Sequence, residues 1–208
     1  NRSQINSVSE TEDGEIFVAG NFIGVVQIGK YELTSDSYGI YGGNSDGLVV
    51  KYNKQGEVQW ATNIGGNFSE NFTSISSTKD GGCIAAGSYE SASFKVGDFT
   101  IENKNTSGFG NDGILIKYDN QGNVKWTETI GGVGEDQILS VSSTNDGGCI
   151  AGGYFSSGES EADDYKLTNR GIIDGMLIEY DNQGNIKWIE NIGGVGNDQI
   201  LSVSSTND

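Results

Sequence analysis

An internal repeat constrains this chain more than any other feature of its sequence. Residues 131–146 read GGVGEDQILSVSSTND and residues 193–208 read GGVGNDQILSVSSTND, with one difference in sixteen positions. A second string, DNQGNVKW at 119–126, recurs as DNQGNIKW at 181–188 and more weakly as NKQGEVQW at 53–60. The three tryptophans are therefore one repeat position, at spacings of 66 and 62 residues. Such a repeat predicts stacked copies of one supersecondary unit that bury their apolar faces against each other.

Each repeat divides into four segments of strand length. The first alternates apolar and small polar residues, as a half-buried strand does, and an Asp-Gly turn follows it. The second is rich in Ala and Gly, which suits a position where neighbouring sheets approach closely. The third is a nearly unbroken apolar run, which predicts burial on both faces, and the fourth carries the tryptophan. Four antiparallel strands per repeat are the composition of one β-propeller blade.

The predicted fold is therefore all-β, a β-propeller-like array of four-stranded antiparallel blades with about three repeats of 62–66 residues. The repeats are assigned to residues 1–64, 65–130 and 131–192, and residues 193–208 begin a fourth. The first and last thirteen residues are copies of the same segment and would compete for one place in a ring. We therefore expect the chain not to close into a ring by itself, but to be part of a longer array or to associate end to end.

The repeats differ most between the second and third strands. In the first two repeats this stretch predicts an additional hairpin that turns at Gly29 or Gly97. In the third it reads SSGESEADDYKLTN, which is more acidic and less strand-like. Because specific contacts concentrate in variable loops, we expect a protein or glycan partner to bind here.

The repeated pattern resembles a known bacterial family. The strings GGxGxDxxxSVxxTxDGGxIxGGY and DGxLIxYDxxGNxxWxxxIGG are similar to the bacterial surface β-propeller repeat called SBBP. An Asp-Gly pair opens the third strand of that pattern, and a Lys-Tyr pair closes it. The Asp-Gly pair is present in all three repeats, whereas the third repeat has Glu179 in place of the lysine. The resemblance implies a propeller fold and an exported or surface-attached bacterial protein.

Charge limits the possible partners. The formal net charge is −17, and such a field repels nucleic acids, whose binding needs clustered Lys and Arg. No apolar run approaches the ~18 residues of a membrane helix. Cations would be attracted, and the densest acidic cluster in the variable stretches is a candidate calcium site: Glu159, Glu161, Asp163, Asp164. The alternative for this cluster is a solvated acidic loop, and no other cofactor is predicted.

The residues for common catalytic chemistry are missing from the sequence. There is no histidine, which excludes a Ser-His-Asp triad, a Cys-His pair and the usual zinc sites. The two cysteines, Cys83 and Cys149, occupy one repeat position, which predicts small, buried and reduced side chains. The repeated aspartates precede glycines in turns, where their side chains bind nearby backbone N–H groups.

These patterns predict a protein that is not an enzyme. We expect a non-catalytic binding or structural repeat module of an exported bacterial surface protein, secreted or held at the cell surface, with a role in adhesion, matrix or filament assembly. The alternative is a glycan-binding or glycan-cleaving propeller enzyme that uses carboxylates. A concave pocket with two carboxylates of perturbed pKa would favour that alternative.

Overall fold

A computed structural model describes residues 2–36, 44–105 and 110–206, and these ranges contain strands but no helix. Residue 1 and residues 207–208 of the predicted repeats lie outside the described residues, as do 37–43 and 106–109 of the variable stretches. The first repeat contains β1 (Arg2–Glu10), β2 (Ile16–Ile23), β3 (Val25–Ile28), β4 (Tyr31–Thr34), β5 (Asp46–Tyr52) and β6 (Val58–Ile64). The second contains β7 (Glu70–Ser77), β8 (Cys83–Tyr89), β9 (Ser93–Val96), β10 (Phe99–Glu102), β11 (Asp112–Tyr118) and β12 (Val124–Gly132). The third contains β13 (Asp136–Ser143), β14 (Cys149–Phe155), β15 (Glu159–Ala162), β16 (Tyr165–Thr168), β17 (Asp174–Tyr180) and β18 (Ile186–Ile192).

The four core strands of each repeat form an antiparallel sheet, and the prediction of an all-β chain is confirmed. The hairpins β3-β4 and β9-β10 are separate two-stranded sheets. Sheet 1 has the strand order β1-β2-β5-β6, and sheet 3 has the order β13-β14-β17-β18. Sheet 2 has the equivalent order β7-β8-β11-β12, and β15 and β16 of the third repeat extend it to six strands. We call β1, β7 and β13 the inner strands. The prediction of four strands in every sheet is therefore wrong for sheet 2.

The extra hairpins form in all three repeats. Gly29 and Gly97 turn the first two with φ of 57° and 58°, as predicted. The expectation that the third stretch is less strand-like is wrong, because β15 and β16 pair over their whole length. Asp163 occupies the equivalent turn position with φ of 50°, a region that Asp tolerates better than most residues. The strand pattern is difficult to recognise in the sequence because the exposed positions of β15 are Glu159 and Glu161 and its buried positions are the small residues Ser160 and Ala162.

The three third strands are buried on both faces, as their apolar runs predict. All seven residues of β11 are buried, and β5 and β17 are nearly as enclosed. The glycine at the end of the Ala-rich part of the second strand is required by close contact within its own sheet, not by a neighbouring sheet. The inner strand bulges at Asn6, so that a Cβ on Gly20 would lie 2.0 Å from the Gln4 carbonyl oxygen. The same bulge recurs at Thr73 and Leu139.

Serine side chains join the inner strands of successive sheets. Each serine hydroxyl accepts a hydrogen bond from a backbone N–H of the next inner strand, at 2.9–3.2 Å. These pairs, which we call the serine seam, are Ser7 with Ile75, Ser9 with Ser77, Ser74 with Val141 and Ser76 with Ser143. The small side chains allow close approach of the strands and satisfy N–H groups that a sheet ladder leaves unpaired.

The seam continues into the start of the fourth repeat. Residues 199–206, which we call the terminal segment, are not part of a sheet ladder. Even so, the Val203 N–H donates to Ser140 and the Ser205 N–H to Ser142, at 3.1 and 2.9 Å. The terminal segment therefore lies against sheet 3 as β13 lies against sheet 2.

Aromatic and apolar side chains fill the spaces between sheets. Trp126 is 6% exposed, stacks on Tyr180 and donates its indole N–H to the Asn182 carbonyl at 3.2 Å. Trp60 contacts Tyr118 of sheet 2 in the same way, whereas Trp188, which faces no further sheet, is 37% exposed. The tryptophans of the first two repeats thus pack between sheets, whereas the tryptophan of the third does not.

Both cysteines are free and buried, which confirms their prediction. Burial raises the pKa of each thiol above its ordinary value. Their side chains belong to two different hydrophobic clusters, one between sheets 1 and 2 and the other between sheets 2 and 3. They are therefore core residues of adjacent repeats.

Candidate ligand-binding groove

A groove of about 430 Å³ lies at the end of the molecule where the inner strands begin. Residues of all three repeats line it, so its shape depends on how the sheets are docked. The lining side chains described are amides and hydroxyls with one carboxylate: Gln4, Asn6, Asn21, Ser45, Ser69, Asn71, Thr73, Ser88, Glu90, Asn111, Gln137. We call this surface the amide groove. Its volume falls within the ~300–1,000 Å³ typical of small-ligand sites.

Repeat-equivalent positions build the floor of the amide groove. Gln4, Asn71 and Gln137 occupy one position, each just before the bulge of its inner strand. The bulge residues then connect neighbouring strands. Asn6 donates to the Phe72 carbonyl at 2.8 Å, and Thr73 donates to the Ile138 carbonyl at 2.7 Å. These hydrogen bonds fix the relative positions of the inner strands that carry Gln4, Asn71 and Gln137.

Two lining residues are largely buried, but their polar side-chain atoms remain open to the groove. Asn111 is 8% exposed and Ser88 is 7% exposed. Neither side chain makes a hydrogen bond within the part of the chain that the structure describes. Neither residue contributes to the fully enclosed side-chain atoms that lack a partner, so solvent reaches their polar atoms in the groove. Donors and acceptors are thus available at the bottom of the groove.

Buried acids alternate with groove residues along the chain. Glu70 stands between Ser69 and Asn71, and Asp112 follows Asn111. Asp112 is fully buried and accepts a hydrogen bond from the Lys104 backbone N–H at 2.6 Å. These acids therefore tie the ends of the extra hairpins to the strands whose neighbouring residues line the groove.

Burial changes the protonation of these acids. It raises the pKa of Glu70 to about 8, although three hydrogen bonds from Ser91 and Gly66 oppose the shift. It raises the pKa of Asp112 to about 6, with the charge of Asp136 contributing. The pKa of Asp46 is raised by burial as well. The negative charge that remains beneath the groove repels anionic ligands.

The opposite end of the inner strands carries buried lysines. Lys51 is 1% exposed and pairs with Glu15 at 2.6 Å, and Lys117 pairs with Asp80 at 3.1 Å. Lys117 also donates to the Gly147 carbonyl of the next repeat at 2.9 Å. Because Lys51 also contacts Asn120 of the second repeat, both lysines link neighbouring repeats and have a structural role.

The third repeat reverses this charge arrangement. Glu179, which replaces the lysine, accepts hydrogen bonds from Lys187 and Trp188. Lys187 also pairs with Asp146 at 3.3 Å. The departure from the repeat pattern is therefore compensated within the same repeat.

The predicted calcium residues lie on and beside the turn of the third hairpin. Glu159 and Glu161 face solvent on β15 and both pair with Lys166, at 3.8 and 3.5 Å. Asp163 and Asp164 form the turn, next to strand β12. The described ranges contain no group of three or more His, Cys, Asp or Glu side chains arranged to hold a metal ion. Calcium binding at these residues stays a prediction.

One of these acids contacts a neighbouring carboxyl. Glu128 on β12 is partly buried, and burial together with the adjacent Asp163 raises its pKa to about 8. Because the two side chains belong to different repeats, this pair couples the third hairpin to sheet 2. It is separate from the amide groove, to which the described residues contribute one carboxylate, Glu90.

The repeated turn aspartates bind their own turns, as expected. Asp119 accepts from the backbone N–H groups of Gln121 and Asn123 at 3.0 and 2.8 Å, and these bonds lower its pKa. Asp80 and Asp146 accept from the Gly82 and Gly148 backbone N–H groups, and also from the hydroxyls of Thr78 and Thr144. These contacts fix the turns and present no open coordination site.

Sequence reasoning missed the amide groove. The available signal was an amide residue at one repeat position, Gln4, Asn71, Gln137 and Gln199. Each of the first three precedes the alternating segment of its inner strand, where a polar side chain could have been assigned to either face. The bulge decides which face it takes.

The comparisons with known proteins give one limited similarity. No family model matches the chain. Over 115 residues, 55% of its length, it is 26% identical to the Regulatory protein FlaEY of Caulobacter vibrioides. The chain covers 12% of the length of that relative. Among the described residues, no helix is long and apolar enough to cross a membrane.

Proposed function

We propose that this chain is a non-catalytic binding or structural repeat module of an exported bacterial surface protein, acting in adhesion, matrix or filament assembly. The observation that carries the proposal is the serine seam, which docks successive repeats in one register. A scaffold of this kind holds residues of several repeats in fixed positions, as a binding surface requires. Glycan cleavage commonly uses two carboxylates, whereas the described lining of the amide groove contains one, Glu90. The groove therefore supports binding more than cleavage.

We further propose that the sheets are blades of a β-propeller-like array, related to the SBBP repeat. The antiparallel order from inner strand to outer strand, repeated three times, supports this assignment. Electron microscopy of the purified protein tests it. Blades arranged around an axis are expected, and a flat stack of sheets would contradict the proposal.

The extra hairpins are a proposed contact surface for protein or glycan partners. Their solvent-facing positions differ between repeats, with Gln27, Lys95 and Glu161 at one equivalent position. Substituting all three by Ala is expected to weaken partner binding measured on cells or matrix extracts. Unchanged binding would place the contact elsewhere.

End-to-end association is a second candidate role. Ile5 and Val8 are 56% and 65% exposed, whereas their equivalents Phe72 and Ile75 are 1% and 4% exposed against the preceding sheet. An uncovered face of this kind can receive a sheet from the same chain or another. Light scattering is expected to give a mass that rises with concentration and falls after Val8→Asp. A constant monomer mass would contradict this role.

Surface exposure and the absence of catalysis can be tested together. Antibodies against the purified chain are expected to label intact cells of the bacterium that carries it. The same protein, incubated with oligosaccharides that it binds, is expected to release no shorter product. Label confined to broken cells, or steady product release, would overturn the proposed function.

A further inference from the structure

We infer that the amide groove is a binding site for a neutral, hydroxyl-rich glycan. This inference rests on the proposed non-catalytic binding role and adds the site and the ligand class. The ligand site is distinct from the extra hairpins, which are the contact surface suggested by sequence variation. Its amide side chains Gln4, Asn71 and Gln137 come from one repeat position.

The lining chemistry selects the ligand class. Amide and hydroxyl groups both donate and accept hydrogen bonds, and they match the hydroxyl groups of a sugar, which do the same. The groove residues described include no Lys or Arg, so a phosphate, sulfate or uronate would have no counter-charge. Glu90, the one carboxylate among the described lining residues, opposes such anions further.

Polar groups of the groove lining are open to an occupant. Asn111 and Ser88 line the groove and make no side-chain hydrogen bond within the described residues. A ligand hydroxyl can therefore bond to them without breaking a hydrogen bond inside the protein. Their fixed backbones, anchored beside Asp112 and in β8, pre-organise both groups for binding.

A glycan fits better than a peptide. An extended peptide gains specificity from pockets that bury its apolar side chains, whereas every described lining residue of this groove is polar. A sugar carries hydroxyl groups along its whole length, which suits a lining whose described residues are all polar.

Calorimetric titration of the full chain tests the inference. The probes are neutral oligosaccharides of glucose, mannose, galactose and N-acetylglucosamine, with uronic-acid and sulfated oligosaccharides as anionic comparisons. At least one neutral probe is expected to bind, and the anionic probes are expected not to compete with it. Asn71→Ala and Gln137→Ala are each expected to weaken binding by about tenfold, the loss of one or two hydrogen bonds.

Gln199→Ala is the matched control, because Gln199 has the same repeat position but does not line the groove. It is expected to leave the affinity unchanged, and circular dichroism is expected to show all three variants folded. Absence of binding by every neutral probe, equal binding of anionic probes, or unchanged affinity in both groove variants would overturn the inference. Cleavage of a bound probe would instead overturn the proposed non-catalytic role and leave the groove assignment standing.

Discussion

At the scale of single residues, position in the array decides the energetic role of a repeated side chain. Trp126 has a sheet on each side, whereas Trp188 occupies the same repeat position with its outer side uncovered. Trp126→Ala is therefore expected to lower the free energy of unfolding by about 3–5 kcal/mol, the range for large core aromatics. Trp188→Ala is expected to cost about 1 kcal/mol. Urea unfolding measures both, and equal losses would contradict the packing described.

The buried acids predict an unusual dependence of stability on pH. The folded-state pKa of Glu70 is about 8, above its ordinary 4.5, so the folded protein binds this proton more tightly than the unfolded chain. Its contribution to stability is complete below about pH 4.5 and is lost as the pH rises through about 8. Within that window each such group lowers the free energy of unfolding by about 1.4 kcal/mol per pH unit.

Glu70→Gln is expected to remove one such slope and to increase stability relative to the unmodified protein above pH 8. Urea unfolding at a series of pH values measures the difference. Glu12→Gln, at an exposed turn, is the control and should leave the slope intact. An unchanged slope after Glu70→Gln would show that this carboxyl is not responsible.

At the scale of strands, serine hydroxyls of the serine seam accept the backbone N–H groups that a strand ladder would otherwise pair. Ser74→Ala removes the acceptor of the Val141 N–H, at 3.1 Å, and leaves that group unpaired. A loss of about 1–3 kcal/mol in the free energy of unfolding is expected. Ser202→Ala, at the same repeat position in the terminal segment, accepts no such bond in the described structure and is expected to be nearly neutral. Equal effects at the two positions would argue against the seam.

The extra hairpins illustrate a limit of pattern reading for strands. Alternation and glycine turns predicted the first two, and the third was missed because Asp163 replaces the glycine and Glu159 and Glu161 occupy the exposed face of β15. The buried face of β15 keeps its pattern in Ser160 and Ala162. Its pairing with β12 of another repeat depends on sheet position, which local sequence does not encode.

At the scale of the whole molecule, the central sheet is expected to be the most stable part. Sheet 2 is covered on both sides, and every residue of β8 and β11 is buried. Amide hydrogen exchange is expected to be slowest in these two strands and fastest in β1 and the terminal segment, since local opening follows burial. Ser140→Ala is expected to speed exchange further in the terminal segment, by removing the acceptor of the Val203 N–H. A uniform exchange profile would contradict this gradient.

The sequence by itself determined the repeat, the all-β class, the four core strands of each repeat and the burial of Cys83 and Cys149. These features follow from alternation, apolar runs and turn residues, which act over a few neighbouring positions. Only the tertiary structure decided that Ser74 binds the next inner strand, that β15 joins sheet 2 and that Gln4 and Gln137 line one groove. Each of these depends on how one repeat is docked against another, and docking is set by packing between repeats that no single repeat specifies.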